Sequence, residues 1–322
     1  MPRVNWLAAA GTLAGGVAIY PLAIQGLGRL GLRQVERSDV PTSHLSKTGT
    51  PTAGGLVFVI ALLAAWAVVA RDPAGGLLAG AAALGCAVGL ADDWTKISRG
   101  EGVRFRPKLL LLALCAGLLT VGLAAVAATT QTVPGLGARD LGVLGLALAG
   151  FAILATANAA NLADGVDGLA AGCGIPGLAA CAVLAMLEHR PELATTCLCL
   201  AAALAAFLVY NRPRARVFMG DAGSLAVGLA LAVAAIEVGL LVLLPLLAIV
   251  FVAEAGSVVI QVGYFRLTHG RRVFRSSPLH HHFEEGGMSE WAVDFRFWTV
   301  AAAGAALAAY WAVAAGLVGG SR

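Results

Sequence analysis

The sequence predicts an all-α integral membrane protein of about ten transmembrane helices, and three observations carry that prediction. Hydrophobic residues make up 59% of the 322 and charged residues only 12%, where soluble domains carry roughly 25% charged residues. Apolar runs of about 20 residues, each long enough to cross a bilayer, recur along the chain, and mean hydropathy is +0.84. Lys and Arg gather on alternate connections between those runs. This pattern overrides the two soluble domains that length alone suggests. It predicts one membrane domain over residues 1–322, without a soluble appendage.

The ten runs cover 4–30, 52–70, 74–91, 108–128, 141–160, 169–187, 193–210, 222–236, 238–265 and 297–319. The first exceeds the apolar stretch of a signal peptide, about 7–15 residues, and lacks a clear small-residue cleavage site, so it reads as a retained helix. Turn and breaker signals separate several of the others, namely Arg71-Asp72-Pro73, Pro134-Gly135 and Glu188-His189-Arg190-Pro191. Only Glu237 divides the eighth run from the ninth. Charge then sets direction. The connections after runs 1, 3, 5, 7 and 9, with their flanking residues, hold 17 of the 22 Lys and Arg, leaving Arg3, Arg71, Arg139, Arg190 and Arg322 on the other side. Cytoplasmic loops carry the basic excess, so both termini are expected outside and segments 31–51, 92–108, 158–168, 211–224 and 266–296 inside. Fusing runs 8 and 9 would put the Arg-rich 266–296 segment outside, which favours ten. The six cysteines lie in or beside apolar runs and read as small buried hydrophobes.

Apart from Glu254, the polar residues that look chemical lie on these odd connections, and the even ones are mostly short and bland. In the first, Lys47 offers a point charge for phosphate and Gly49, Gly54 and Gly55 permit close backbone approach. A helix start with Pro51 in its first turn explains the same residues. Asp92 and Asp93 follow the third run directly, with Lys96 three residues on. Adjacent carboxylates at a membrane edge are costly to desolvate and suit Mg²⁺ or general-base work; solvated loop capping is the plain alternative. Arg104, Arg106 and Lys108 form a basic cluster that fits a polyphosphate, anionic lipid or simple anchoring.

The fifth run ends in Asn158, Asn161, Asp164 and Asp167 with no Lys or Arg nearby. Its acids call for a metal or for a basic partner from another loop. After the seventh run, Asn211 precedes Arg212, Arg214, Arg216 and then Asp221 at the head of the eighth, where helix amides favour a carboxylate or a phosphate. An N-cap is the ordinary reading of Asp221. Glu254, buried in the ninth run, reads as a structural hydrogen-bonding group. The last cytoplasmic segment holds His280, His281 and His282, which cannot all face one way on a helix. Zinc at structural spacing finds no partner Cys or His pair; imidazoles holding phosphate or orienting substrate fit better.

Taken together, these stretches resemble the phospho-N-acetylmuramoyl-pentapeptide transferase family, within the polyprenyl-phosphate N-acetylhexosamine-1-phosphate transferases. The resemblance runs from Lys47 to Trp298, and its most specific stretches are Val262–Thr268 followed by Pro278–Glu284. Asn161–Gly168 and Val217–Ser224 are nearly as specific. The resemblance implies ten helices, outward termini, a cytoplasmic active site in a bacterial inner membrane, and Mg²⁺ as cofactor. It implies transfer of phospho-N-acetylmuramoyl-pentapeptide from its UDP carrier to undecaprenyl phosphate, giving lipid I and UMP. By the same resemblance Asp92, Asp93, Asp221, His280, His281 and His282 are catalytic, with Asp92, Asp93 and Asp221 at the metal. Lys47, Lys96, Lys108, Asn158, Asn161, Asp164, Asp167 and Asn211 would bind substrate. Partners are the UDP-linked substrate, undecaprenyl phosphate, the lipid bilayer and, as one option, a second copy in a homodimer; no nucleic acid is expected. Ala53, Trp94, Pro107 and Ala163 depart from the usual Met, Tyr, Gln and Thr, at no charged position.

Two readings stand beside this one. The sister branch moves N-acetylglucosamine-1-phosphate to the same lipid but generally carries a looser histidine motif. A transporter would place its polar groups near the bilayer midplane, often in an inverted repeat, and no such repeat is visible. For the transferase, direct attack by the lipid phosphate competes with a route through an aspartyl intermediate.

Overall fold

The computed structural model describes residues 4–33, 49–126 and 128–314. Twelve helices and one β-hairpin follow in order among those residues. They are α1 (Trp6–Arg29), α2 (Gly55–Ala65, continued by a π-helical turn Trp66–Ala70), α3 (Pro73–Arg99) and α4 (Phe105–Ala125). The hairpin is β1 (Thr130–Val133) and β2 (Gly137–Asp140), antiparallel, with Thr130 opposite Asp140. Then come α5 (Gly142–Ala163), α6 (Leu169–Leu187), α7 (Pro191–Asn211) and α8 (Gly220–Glu237). The chain ends with the one-turn α9 (Leu244–Leu247), α10 (Ile249–Leu267), the short α11 (Leu279–Glu285) and α12 (Glu290–Ala314).

Nine of the described helices are long and apolar enough to cross a bilayer, and Gly55–Val69 is a shorter apolar one. All ten predicted runs therefore meet a helix, and the division at Glu237 holds. The breakers act as read. Pro73 opens α3, with Asp72 accepting the Gly75 N–H at 2.8 Å; Pro191 opens α7; Pro134-Gly135 turns the hairpin.

Helix ends differ from the apolar runs in a systematic way. The third run stops at 91, yet α3 continues two turns to Arg99 before Gly100 ends it at φ +72°. Hydropathy marks where apolar surroundings end, and a helix carries on past that edge wherever its polar residues find partners. The Asp92–Lys96 ion pair, 2.7 Å and four residues apart, is such a partner. For the same reason Asn161 lies inside α5 and Asp221 and Ser224 inside α8, not in loops. The ninth run begins eleven residues later than its apolar stretch, because residues 238–248 form turns and the one-turn α9.

The bundle is layered around α8. Of its most apolar 18 residues 89% are buried, against 11% in α1 and 22% in α4, so α8 is the central post and α1 and α4 lie outside. Its sequence permits this, since Ala, Gly and Leu leave shallow surfaces against which α3, α5, α2 and α6 pack. The α3 contact is the closest. A side chain at Gly85 would stand 2.7 Å from the Leu225 carbonyl, and one at Gly89 would overlap the Asp221 backbone. The hairpin sits at the other end of α8, where Gln131 donates to the Ile236 carbonyl and accepts the Leu241 N–H. That end is less bland than the sequence suggested. Glu237 is 4% exposed there, with the Arg190 guanidinium on its backbone carbonyl at 2.5 Å.

Candidate active site

Four helix ends meet at one end of the bundle and bring charge together. The C-terminal turns of α3 supply Asp92, Asp93 and Lys96, the first turn of α4 supplies Lys108, the end of α5 Asn161, and the start of α8 Asp221 and Ser224. Lys96 Nζ lies 2.7 Å from Asp92 Oδ2 and 2.9 Å from Asp221 Oδ1. Lys108 Nζ contacts Asp221 Oδ2 and stands 3.4 Å from both Asp92 Oδ2 and Asn161 Oδ1. Asn161 donates to Asp221 Oδ1 (3.1 Å) and to Ser224 Oγ (2.9 Å). Two ammonium groups thus lie between two buried carboxylates, an arrangement that keeps charges stable at the edge of an apolar bundle only because each is paired.

Asp93 has a separate task. Its Oδ1 accepts the Asp221 N–H at 3.0 Å and its Oδ2 the Ala222 N–H at 3.1 Å. These are orphan amides of the first α8 turn, so Asp93 caps α8 from α3 across 128 residues of sequence. The ordinary N-cap reading of Asp221 is not what forms. Met219, the residue before α8, occupies the cap position without a side-chain bond, and the Asp221 carboxylate faces the lysines.

The acidic connection between α5 and α6 borders this centre. Desolvation first, then the carboxylates of Asp221, Asp93 and Asp167, push the Asp164 carboxyl well above the usual carboxylate range, with Lys96 opposing. One partner of Asp167 is backbone: its Oδ2 accepts the Ala215 N–H at 2.9 Å. Asn211 accepts the Gly168 N–H and donates to the Val217 carbonyl, both at 2.9 Å, which clamps two loops together.

The remaining predicted residues lie apart from the lysine–carboxylate cluster or outside view. Asn158 donates to the Leu154 carbonyl within its own helix. The three histidines sit on α11 and divide three ways. His280 is 1% exposed and contacts Glu254, His281 Nδ1 meets Glu284 at 2.8 Å, and His282 Nδ1 accepts the Arg275 N–H at 3.1 Å. Lys47 lies outside the described residues. Sequence reasoning missed Ser224 as a partner of Asn161, and the capping task of Asp93. The spacing Asp221-x-x-Ser224, one turn on a single helix face, was the available signal for the first; nothing local signals the second.

Among the described residues no three His, Cys, Asp or Glu side chains form a ready metal cage. Magnesium is usually held by one or two carboxylates together with substrate phosphates and water. Asp92 and Asp221 share both lysine partners and Asn161 adds an amide oxygen, so the donor set fits a hard divalent cation.

Comparison with known proteins bears on the family. A family model described as glycosyl transferase family 4 matches residues 76–239, a span that contains Asp92, Asp93, Asp164, Asp167 and Asp221. A phospho-N-acetylmuramoyl-pentapeptide-transferase of Rubrobacter xylanophilus is 45% identical over 288 residues, covering 85% of this chain and 86% of its own. Those of Desulforudis audaxviator (45% over 316 residues, 89% and 94%) and Moorella thermoacetica (44% over 288, 87% and 90%) are similarly related. A chain matched at this level over most of its length, with a lysine–carboxylate cluster at one end of a bundle of apolar helices, belongs to the phospho-N-acetylmuramoyl-pentapeptide-transferase family.

Proposed function

We propose that the protein transfers phospho-N-acetylmuramoyl-pentapeptide from its UDP carrier to undecaprenyl phosphate, releasing UMP and forming lipid I. The observation that carries the chemistry is the pairing of Lys96 and Lys108 with Asp92 and Asp221 at one end of the bundle. Both substrates are anionic phosphates that repel each other, and phosphoryl-type transfer is mostly positioning and charge stabilisation. The two ammonium groups bind and neutralise phosphate oxygens. Asp92 keeps the acceptor phosphate ionised so that its oxygen attacks the sugar-bearing phosphorus directly. Asp221, with Asp92, would hold Mg²⁺, and the ion would supply charge neutralisation at the diphosphate. Asp93 keeps the first turn of α8, and so Asp221, in place. Asp164 and Asp167 form the nucleotide border, and Lys47 adds a further phosphate contact.

The basic excess on the odd connections supports a cytoplasmic position for this end of the bundle and outward termini, and the bacterial relatives support an inner membrane. The assay is UMP release by the purified protein supplied with Mg²⁺, undecaprenyl phosphate and either UDP-N-acetylmuramoyl-pentapeptide or UDP-N-acetylglucosamine. Turnover of the muramoyl substrate is expected, falling by about 100-fold or more in Asp92→Asn and Asp221→Asn. Turnover of UDP-N-acetylglucosamine alone would sink the assignment, and a phosphosugar adduct trapped on Asp92 without acceptor would sink direct attack.

A further inference from the structure

Glu254 is the only acid of α10 and is fully buried. Both its carboxylate oxygens accept the backbone N–H of His280, at 3.2 and 3.3 Å, and Oε2 lies 3.2 Å from His280 Nδ1. The carboxylate therefore does two things at once. It caps the first turn of α11 through the His280 N–H, and it stands beside the ring itself, 3.2 Å from Nδ1, so that backbone and imidazole of His280 are held against one group. A buried carboxylate with no such contacts would be strongly destabilising, so the residue is fitted to this neighbour.

The far side of the same ring meets the acidic connection. A side chain at Gly165 would overlap His280 Nε2 and stand 2.7 Å from Cε1, so the imidazole edge lies directly on the backbone between Asp164 and Asp167. Further along, that connection is tied down by the bond from Gly168 to Asn211 and by Asp167 on the Ala215 N–H. At Gly165 the imidazole is the neighbour within reach. We infer that Glu254 is a positioning residue. Through His280 it sets the place of the 164–167 backbone, and with it the nucleotide border of the site, from a helix that supplies no residue to the lysine–carboxylate cluster. The inference rests on the transferase reading for its kinetic arm only.

Two measurements test it. Amide hydrogen exchange of residues 164–168 is expected to quicken in Glu254→Ala, to stay near wild type in Glu254→Gln, which keeps an oxygen acceptor of the same shape, and to leave α3 unchanged in both. In the transfer assay, Glu254→Ala should lose about tenfold or more in kcat/KM for the UDP substrate with the KM for undecaprenyl phosphate unmoved, while Glu254→Gln stays within about twofold. In a double-mutant cycle, Glu254→Ala should cost little once His280→Ala is present. Unchanged exchange in the 164–168 segment, or equal losses in both backgrounds of the cycle, would overturn the inference. A wild-type protein without transferase activity would instead overturn the functional reading, and the exchange experiment would still decide the role of Glu254.

Discussion

Asp93 and Asp221 are one residue type put to opposite uses. Asp221 turns its carboxylate toward two ammonium groups, whereas Asp93 spends both oxygens on backbone amides. The second use predicts a stability phenotype. Asp93→Ala leaves two buried amides unbonded and should cost about 1–3 kcal/mol, read as a lowered thermal midpoint in detergent, with Asp93→Asn in between because it keeps one acceptor. Asp164 predicts a pH effect of defined sign. Its carboxyl is held above the usual range in the folded protein, so the folded form binds the proton more tightly than the unfolded chain. Its contribution to stability is thus present at low pH and lost as pH rises through the raised value. Asp164→Asn should therefore raise the thermal midpoint at pH 8, and the gain should shrink as pH falls toward the ordinary carboxylate range. An equal gain at every pH would contradict the electrostatic origin. At this scale the sequence was partly legible. Residue types named the charged participants, but which carboxylate caps and which faces the lysines depends on a contact spanning 128 residues, and no local pattern encodes it.

Among the elements, α3 and α8 form the pair on which the site depends. Gly85 and Gly89 allow their backbones to approach, and Asp92, Asp93 and Asp221 lie just beyond that crossing. Gly89→Ala must part the helices where Asp93 reaches the α8 amides. Overpacking of this kind costs typically about 1–3 kcal/mol, and activity should fall further than stability because the carboxylates and lysines lose register. A variant of normal activity and normal thermal midpoint would show the crossing to be slack. Helix existence and most breaks were readable from apolar runs and from Pro73, Pro134 and Pro191. The ends were not, because ion pairs and caps extend α3, α5 and α8 beyond the apolar surroundings. The histidines show the same limit, since their division among Glu254, Glu284 and Arg275 needs α10 and α11 to be in place.

For the whole molecule, the alternation of basic and neutral connections makes a prediction about sidedness. Single cysteines introduced at Gly135, in the hairpin turn, and at Gly286, after α11, should differ in intact cells. A membrane-impermeant thiol reagent should label the first, and the second only after permeabilisation, judged against the six native cysteines as background. The reverse pattern would put the carboxylate centre on the outer side. The fold class, the places of the apolar helices and the shared end of Asp92, Lys96, Lys108 and Asp221 were legible in the sequence, since each follows from hydropathy and charge position; of the ten expected spans, nine are long enough to cross among the described residues and Gly55–Val69 is shorter. The depth of each helix within the bundle was not, because α1 and α8 are comparably apolar and only packing tells them apart. That depth bears on how the protein responds to its lipid surroundings. With α8 enclosed by protein, a bilayer that is too thick or too thin acts on α1, α4 and the other rim helices, which can tilt to match it, while the post carrying Asp221 has little lipid contact through which to be tilted. Transfer of the phosphosugar should then vary little between bilayers of short- and long-chain lipids, even where the rim helices reorient.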